Sequence, residues 1–293
     1  MRSAPEEDRV EDVVPRGGTG APEPDAPPTS PVRSAGRIDD FAPVEVLNAG
    51  GASRMLLLCD HATNIVPDAV NGGSLGLSEA EMGRHIAHDV GARGVTLELS
   101  RLLDAPAVMS RFSRLVIDPN RSEDDPTLIM KLYDGTIVPA NRHVSAAERE
   151  RRLEAYFRPY HATVTAEIDR RVAAGSEPAL ISMHSYTPKL VGRPERPWHF
   201  GILWHHDGRI ALPLIERLER EHGLCVGDNQ PYSGQLEGDT LSHHGTGRGL
   251  PHVLIEIRHD LIDTEAGQKL WAERLAPILA DVVRDNLEDN ADG

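Results

Sequence analysis

Cysteine is scarce in this chain of 293 residues: there are two, Cys59 and Cys225. They are too few and too far apart for a disulfide framework or a four-thiolate zinc site. Any metal must therefore be held by histidine and oxygen ligands. No apolar run approaches the roughly 20 residues that a membrane span requires, and the chain does not open with the basic and apolar stretches of a secretory signal. A cytoplasmic protein without a membrane partner is the expectation. Positive charge is also short, with 31 Lys+Arg against 46 Asp+Glu and a formal net charge of -15. That balance excludes a general polyanion binder, so nucleic acid is not an expected partner. Aromatic residues reach only 4%, and the fourteen histidines outnumber the twelve aromatics.

Residues 1–40 hold seven prolines and four glycines with almost no bulky apolar residue. Such a segment buries too little surface to offset its conformational entropy and reads as a disordered tail. Residues 286–293 read as a frayed end. Residues 41–285 between them, without repeat or long linker, read as one domain. There, short apolar runs alternate with longer helical patterns, which predicts an α/β sheet covered by helices. Predicted strands cover Met55 to Cys59, Ala107 to Met109, Leu115 to Ile117, Ala179 to Met183, Phe200 to Trp204 and His252 to Ile257. Ser78 with Glu81, and Ser145 with Glu148, have the capping-box spacing and predict two helix starts. Further helices are predicted from Ile210 to His222 and from Thr264 to about Asn286.

In an open α/β sheet, ligands sit beyond the carboxyl ends of the strands. The predicted strands end in Asp60-His61, in His184-Ser185, in Glu256-Ile-Arg258 and in Asp118-Pro-Asn120-Arg121. Four strands thus bring His, His, Glu and Arg to one edge. Two neutral imidazoles and an oxygen ligand leave a divalent metal an open position, where the pKa of a water falls towards 7. Glu256 is placed to take that water's proton, and Arg114, Arg121 and Arg258 are candidates to grip a substrate carboxylate bidentately. Each also has a plainer reading. Glu256 and Arg258 can form a structural ion pair, Arg121 can close a turn, and Asp60 can orient the imidazole of His61. His85 and Asp89, one helical turn apart, read better as a solvated face than as ligands. The aromatic cluster Tyr156-Phe-Arg-Pro159-Tyr160-His161 interrupts a helical pattern at a proline, either as core packing at a bend or with His161 reaching the site.

Six segments in order resemble one family, that of the N-formylglutamate amidohydrolases. They are Asp60-His61-Ala-Thr-Asn64 with Pro67, Arg111 to Arg121, Pro159-Tyr160-His161, Ser182 to Pro188, Gly227 to Tyr232 and Gly249 to Arg258. The resemblance spans about residues 43 to 280. It implies a metal-dependent hydrolase that releases formate from N-formyl-L-glutamate or a closely related N-acyl amino acid. The implied fold is a three-layer α/β/α sandwich with a mixed, mostly parallel sheet, zinc-carboxypeptidase-like. It also implies a divalent metal, zinc, on His61, Asn64 and His184, with Glu256 as base and Asn120 and Arg121 as carboxylate clamp. Asn64 stands where the wider group carries Glu, and a neutral amide is the weaker ligand. Asp60, Asp89 and His161 are therefore alternatives for the third ligand. A small-molecule substrate is implied, and the oligomeric state is left open.

Overall fold

The computed structural model describes residues 41–235 and 237–287. The chain divides after Ile38, and the described residues all fall in the second unit, Asp39–Gly293. The expected tail over residues 1–40 and residues 288–293 of the expected frayed end lie outside the described residues; Asn286 and Leu287, also expected to fray, are helical. No described helix is long and apolar enough to cross a membrane.

Seven strands form one sheet: β1 Val44–Leu47, β2 Met55–Cys59, β3 Ala107–Ser110, β6 Ala179–Tyr186, β7 Phe200–Leu203, β8 Val226–Asp228 and β9 His252–Arg258. Strands β4 Leu132–Tyr133 and β5 Thr136–Ile137 make a separate hairpin. The sheet order is β1-β3-β2-β6-β9-β7-β8. Strands β3, β2, β6 and β9 run parallel, whereas β1 and the β7/β8 pair run against them. This is the mixed, mostly parallel sheet that the family resemblance implies.

The central strands are buried on both faces, which is why they read as continuous apolar runs rather than alternating ones. Successive side chains still alternate between the two faces. Leu57, Ile181, Val253 and Ile255 pack against α2 Ala92–Leu103, α5 Ala211–Glu219 and α7 Glu265–Leu287. Leu56, Leu58, Leu180, Leu203 and Leu254 pack on the other face, against α4 Arg158–Ala173 and α6 Thr240–His244. Helices thus cover both faces, giving three layers. Two short helices remain, α1 Glu79–Met82 and α3 Ala146–Arg152.

The predicted strand Leu115 to Ile117 is instead a buried turn. Its carbonyls are taken by side chains rather than by a neighbouring strand: Asn141 Nδ2 donates to Leu115 O at 2.7 Å and Arg152 Nη1 to Val116 O at 2.9 Å. The capping box at Ser78 forms as expected, but it starts a helix of only four residues, ended at Gly83. Pro159 stands in the first turn of α4, and the wide turn Leu153–Phe157 before it joins α4 to α3. Residues 84–89 are not helical, so the pattern that paired His85 with Asp89 does not exist.

Candidate active site

The parallel register decides which side chains meet. Leu58 of β2 pairs with Ser182 of β6, and His184 of β6 pairs with Glu256 of β9. Because the strand period is two, Ser182, His184, Leu254 and Glu256 rise from one sheet face at the carboxyl edge of the strands. Asp60 and His61 follow β2 directly at the same edge. Asp89 arrives on the turn before α2, whose Gly91 has a φ of 79°. A Cβ there would lie 2.1 Å from the carbonyl oxygen of Ile262, so only glycine lets the chain turn this closely.

Asp89 is the centre of the cluster. Its Oδ2 lies 2.8 Å from His184 Nδ1 and 3.4 Å from His61 Nδ1. One ligand atom from each of His61, Asp89 and His184 lies within 4.8 Å of the other two, and all three residues are buried. The outer nitrogens of both rings are backed by carboxylates. His61 Nε2 is 2.6 Å from Asp118 Oδ1, and His184 Nε2 is 3.0 Å from Asp60 Oδ2. Such backing fixes ring orientation and leaves each Nδ1 for another partner.

Asp60 is held in turn by three hydroxyls: Tyr160 at 2.7 Å, Thr240 at 2.8 Å and Ser182 at 3.2 Å. Asp118 is gripped by Arg114 through Nε at 3.1 Å and Nη2 at 2.8 Å, and Arg114 Nη1 also reaches Asp89 Oδ1 at 3.3 Å. Burial alone would raise the pKa of Asp60, Asp89 and Asp118. Hydrogen bonds and charge from the histidines, and from Arg114 at Asp118, instead hold all three below the usual carboxylate range. Burial likewise opposes the charged form of His184, but Asp60 and Asp89 raise its pKa well above the ordinary value.

Glu256 differs from these acids. It is 7% exposed, and its Oε2 has no hydrogen-bond partner among the described residues. Burial raises its pKa to about 7, within the range useful to a general base at neutral pH. Gly201, paired with Glu256 across the sheet, lets the neighbouring loop come close: a Cβ there would meet the Gln230 carbonyl oxygen at 2.0 Å.

One cavity of roughly 260 Å³ is lined by His61, Asp89, His184 and Glu256, and also by Arg114, Asn120, Arg121, Tyr133 and Tyr232. The Asn120 carboxamide is oriented from behind, its Oδ1 accepting the Thr240 backbone N–H at 3.0 Å. Its N–H groups are thereby left for the cavity. Arg121 Nη1 donates to the Asn120 carbonyl at 2.9 Å, and among the described residues Arg121 forms no carboxylate ion pair. Arg121 is therefore the cation here with charge left for an anionic ligand, whereas Arg114 is already shared by Asp118 and Asp89.

Several expected site residues stand elsewhere. Asn64 does not join the donor cluster: its amide donates to the Met82 carbonyl at 2.9 Å, and it lines a different surface hollow with Glu45 and Arg93. Asp89 occupies the third position instead. Arg258 does not line the cavity. Its guanidinium pairs with Asp260 and donates to the carbonyls of Arg196, Pro197 and Trp198. Asp60 orients His184 rather than His61, whose carboxylate partner is Asp118. His161 stacks on His244 and bonds the Pro119 carbonyl, one layer behind the site. Asp118 and Thr240 had no signal of their own as positioning residues, because their partners come from segments 57 and 180 residues away.

The donor set suits a divalent cation. Two imidazoles and one carboxylate converge in a buried cluster, and the carboxylates that favour positive charge on His184 would favour a cation held there in place of its proton. With Glu256 beside the cluster and Arg121 and Asn120 across it, the cavity is equipped to hold an anionic amide and move a proton.

A family model for N-formylglutamate amidohydrolases matches residues 53–263. An N-formylglutamate deformylase of Pseudomonas putida is 29% identical over 163 residues, which cover 50% of this chain and 59% of that protein. One of Pseudomonas aeruginosa is 28% identical over 202 residues, 64% of this chain and 75% of that protein. Among solved structures, gene product Atu2144 of Agrobacterium tumefaciens is 35% identical with a TM-score of 0.79, covering 84% of this chain and 96% of that one. The N-formylglutamate amidohydrolase of Ralstonia eutropha shares the fold at a TM-score of 0.62 and 23% identity, over 85% of this chain and 100% of that one.

Proposed function

Since the chain belongs to the N-formylglutamate amidohydrolase family, we propose that it hydrolyses the amide of N-formyl-L-glutamate, or of a closely related N-acyl amino acid, in the cytoplasm with the aid of a divalent metal. The observation that carries this reading is the meeting, in one cavity, of His61, Asp89 and His184 with a buried Glu256 whose Oε2 has no hydrogen-bond partner among the described residues. His61 and His184 through Nδ1 and Asp89 through a carboxylate oxygen would hold the metal, zinc being the one that this donor set commonly takes in hydrolases. When bound, it supplies Lewis acidity and lowers the pKa of water. Asn120 and Arg121 bind the substrate carboxylate and fix the acyl carbon near Glu256. Glu256 removes a proton from water as its oxygen adds to the acyl carbon. It then gives that proton to the nitrogen as the carbon–nitrogen bond breaks, releasing the carboxylic acid and the free amine. The two free cysteines support the cytoplasmic placement.

The test measures metal content and turnover of N-formyl-L-glutamate together. Purified protein is expected to carry about one equivalent of metal, to lose turnover on chelation and to regain it when zinc returns. Full turnover in metal-free protein would overturn the metal reading.

A further inference from the structure

A second hollow, of roughly 450 Å³, adjoins the active cavity, and the pleat of β9 shows how the two are related. His252, Leu254 and Glu256 stand on one face of β9, about 7 Å apart at each step of two residues. Glu256 lines the active cavity, His252 lines the second hollow, and Leu254 lines both. Leu203, which pairs with Leu254 from β7, and Ser233 are shared in the same way. The two spaces therefore lie end to end along one strip of sheet, with Leu254 as their common floor. Asn120 and Arg121 line only the active cavity.

We infer that this hollow is an acyl subsite, and that the acyl group removed is an uncharged aliphatic chain of about four to six carbons rather than formyl alone. This rests on the hydrolase reading above and specifies its substrate. The amino-acid end is tied to Asn120 and Arg121, so the acyl group is the part free to extend past Glu256. A formyl group has no atoms to reach Leu254, whereas an extended acyl chain of about four to six carbons, at about 1.3 Å per bond, covers most of the roughly 7 Å from Glu256 to Leu254 and stops short of His252. Leu203 and Leu254, shared with the active cavity, and Leu241 and Trp204 give the hollow an apolar side. Trp204 is fixed in place by its indole N–H, which donates to Asp228 at 2.8 Å. The rest of the lining is polar, with the carboxylates of Glu237 and Asp239, the imidazoles of His205, His206 and His252 and the hydroxyl of Ser242, and among the described residues it holds no Lys or Arg to receive a second carboxylate, which is why the acyl group is uncharged.

The experiment is a chain-length series. N-formyl-, N-acetyl-, N-butanoyl- and N-hexanoyl-L-glutamate are compared as substrates of the zinc-loaded enzyme, and of a Ser242→Trp variant that fills the hollow from α6. Burying a methylene favours binding by about threefold to fourfold, so kcat/KM of the wild type should rise at least tenfold from formyl to hexanoyl. Ser242→Trp should lose that gain while changing formyl turnover less than twofold. A wild type that cleaves formyl at least as well as the longer chains overturns the subsite and leaves the hydrolase reading standing. A chain-length preference that Ser242→Trp does not alter places the acyl group elsewhere and also overturns it. Failure to cleave any of the four substrates defeats the hydrolase reading and the subsite together. The wild-type series decides the matter even if the variant fails to fold.

Discussion

Among the described residues, Glu256 Oε2 has no hydrogen-bond partner, in a site where Asp60, Asp89 and Asp118 are all paired. Replacing it with Gln keeps its shape and removes its proton chemistry. Glu256→Gln should lower kcat by about 10²–10⁴-fold and leave substrate affinity within a few-fold, as read by steady-state kinetics and equilibrium binding; near-wild-type turnover would remove its role as base. Thr240 tests the orientation of His184 instead. Its hydroxyl is one of three on Asp60, and Thr240→Val deletes it at nearly constant volume. Metal affinity, measured by chelator competition, should fall about 10–100-fold, with Thr240→Ser restoring most of it. At this scale the sequence was legible where a side chain acts at its own strand end, as for His61, His184 and Glu256. It misled at Asn64, because a one-dimensional motif cannot show that the amide is consumed by Met82 while Asp89 arrives on another turn.

At the scale of elements, the apolar runs at β2, β3, β6 and β9 were readable because a doubly covered parallel strand needs continuous hydrophobicity, and β7, which runs against β9, is buried along its whole length in the same way. Leu115 to Ile117 shows the same composition without being a strand. What separates the two cases is where the backbone hydrogen bonds go, and here that depends on Arg152. Arg152 is 1% exposed and links Glu148, Asn141 and the Val116 carbonyl. Arg152→Met should cost about 3 kcal/mol, since several buried polar groups lose their partner at once. A shift in the urea midpoint at unchanged slope measures it, and a loss under about 0.5 kcal/mol, the range of an ordinary surface change, would show the turn to be held by packing alone. Helix α2 escaped the sequence reading, its amphipathic stripe of Val95 and Leu99 being hidden behind a Gly-rich start.

For the molecule as a whole, the histidines behind the site set a limit in acid. Burial lowers the pKa of His161 to about 4 and of His244 to about 3, and His243 packs edge-on against both rings. Both values lie below the ordinary 6.5, so the unfolded chain takes up these protons first as pH falls. The stability they protect is complete above about pH 6.5 and is lost on descent towards pH 4, by up to about 1.4 kcal/mol per pH unit for each ring. Denaturation midpoints at pH 7.5, 6 and 5 should show this slope, and the double variant His161→Gln/His244→Gln should flatten it. Metal removal acts on the whole molecule too. A cation bound only by the folded state adds about 4 kcal/mol at a thousandfold excess over its Kd, so stripping it should lower Tm by roughly 8–16 °C; an unchanged Tm would mean that the cluster binds nothing tightly.

Strand β9 serves two masters through a single alternation: Val253, Ile255 and Ile257 belong to the packed layer, while His252, Leu254 and Glu256 furnish the cavities. Inserting or deleting one residue would exchange the two sets, turning an acid into the core and valine and isoleucine towards the substrate. Point replacement at alternate positions can thus reshape the cavities and leave the packed layer intact, whereas a change in the length of this strand disturbs both at once.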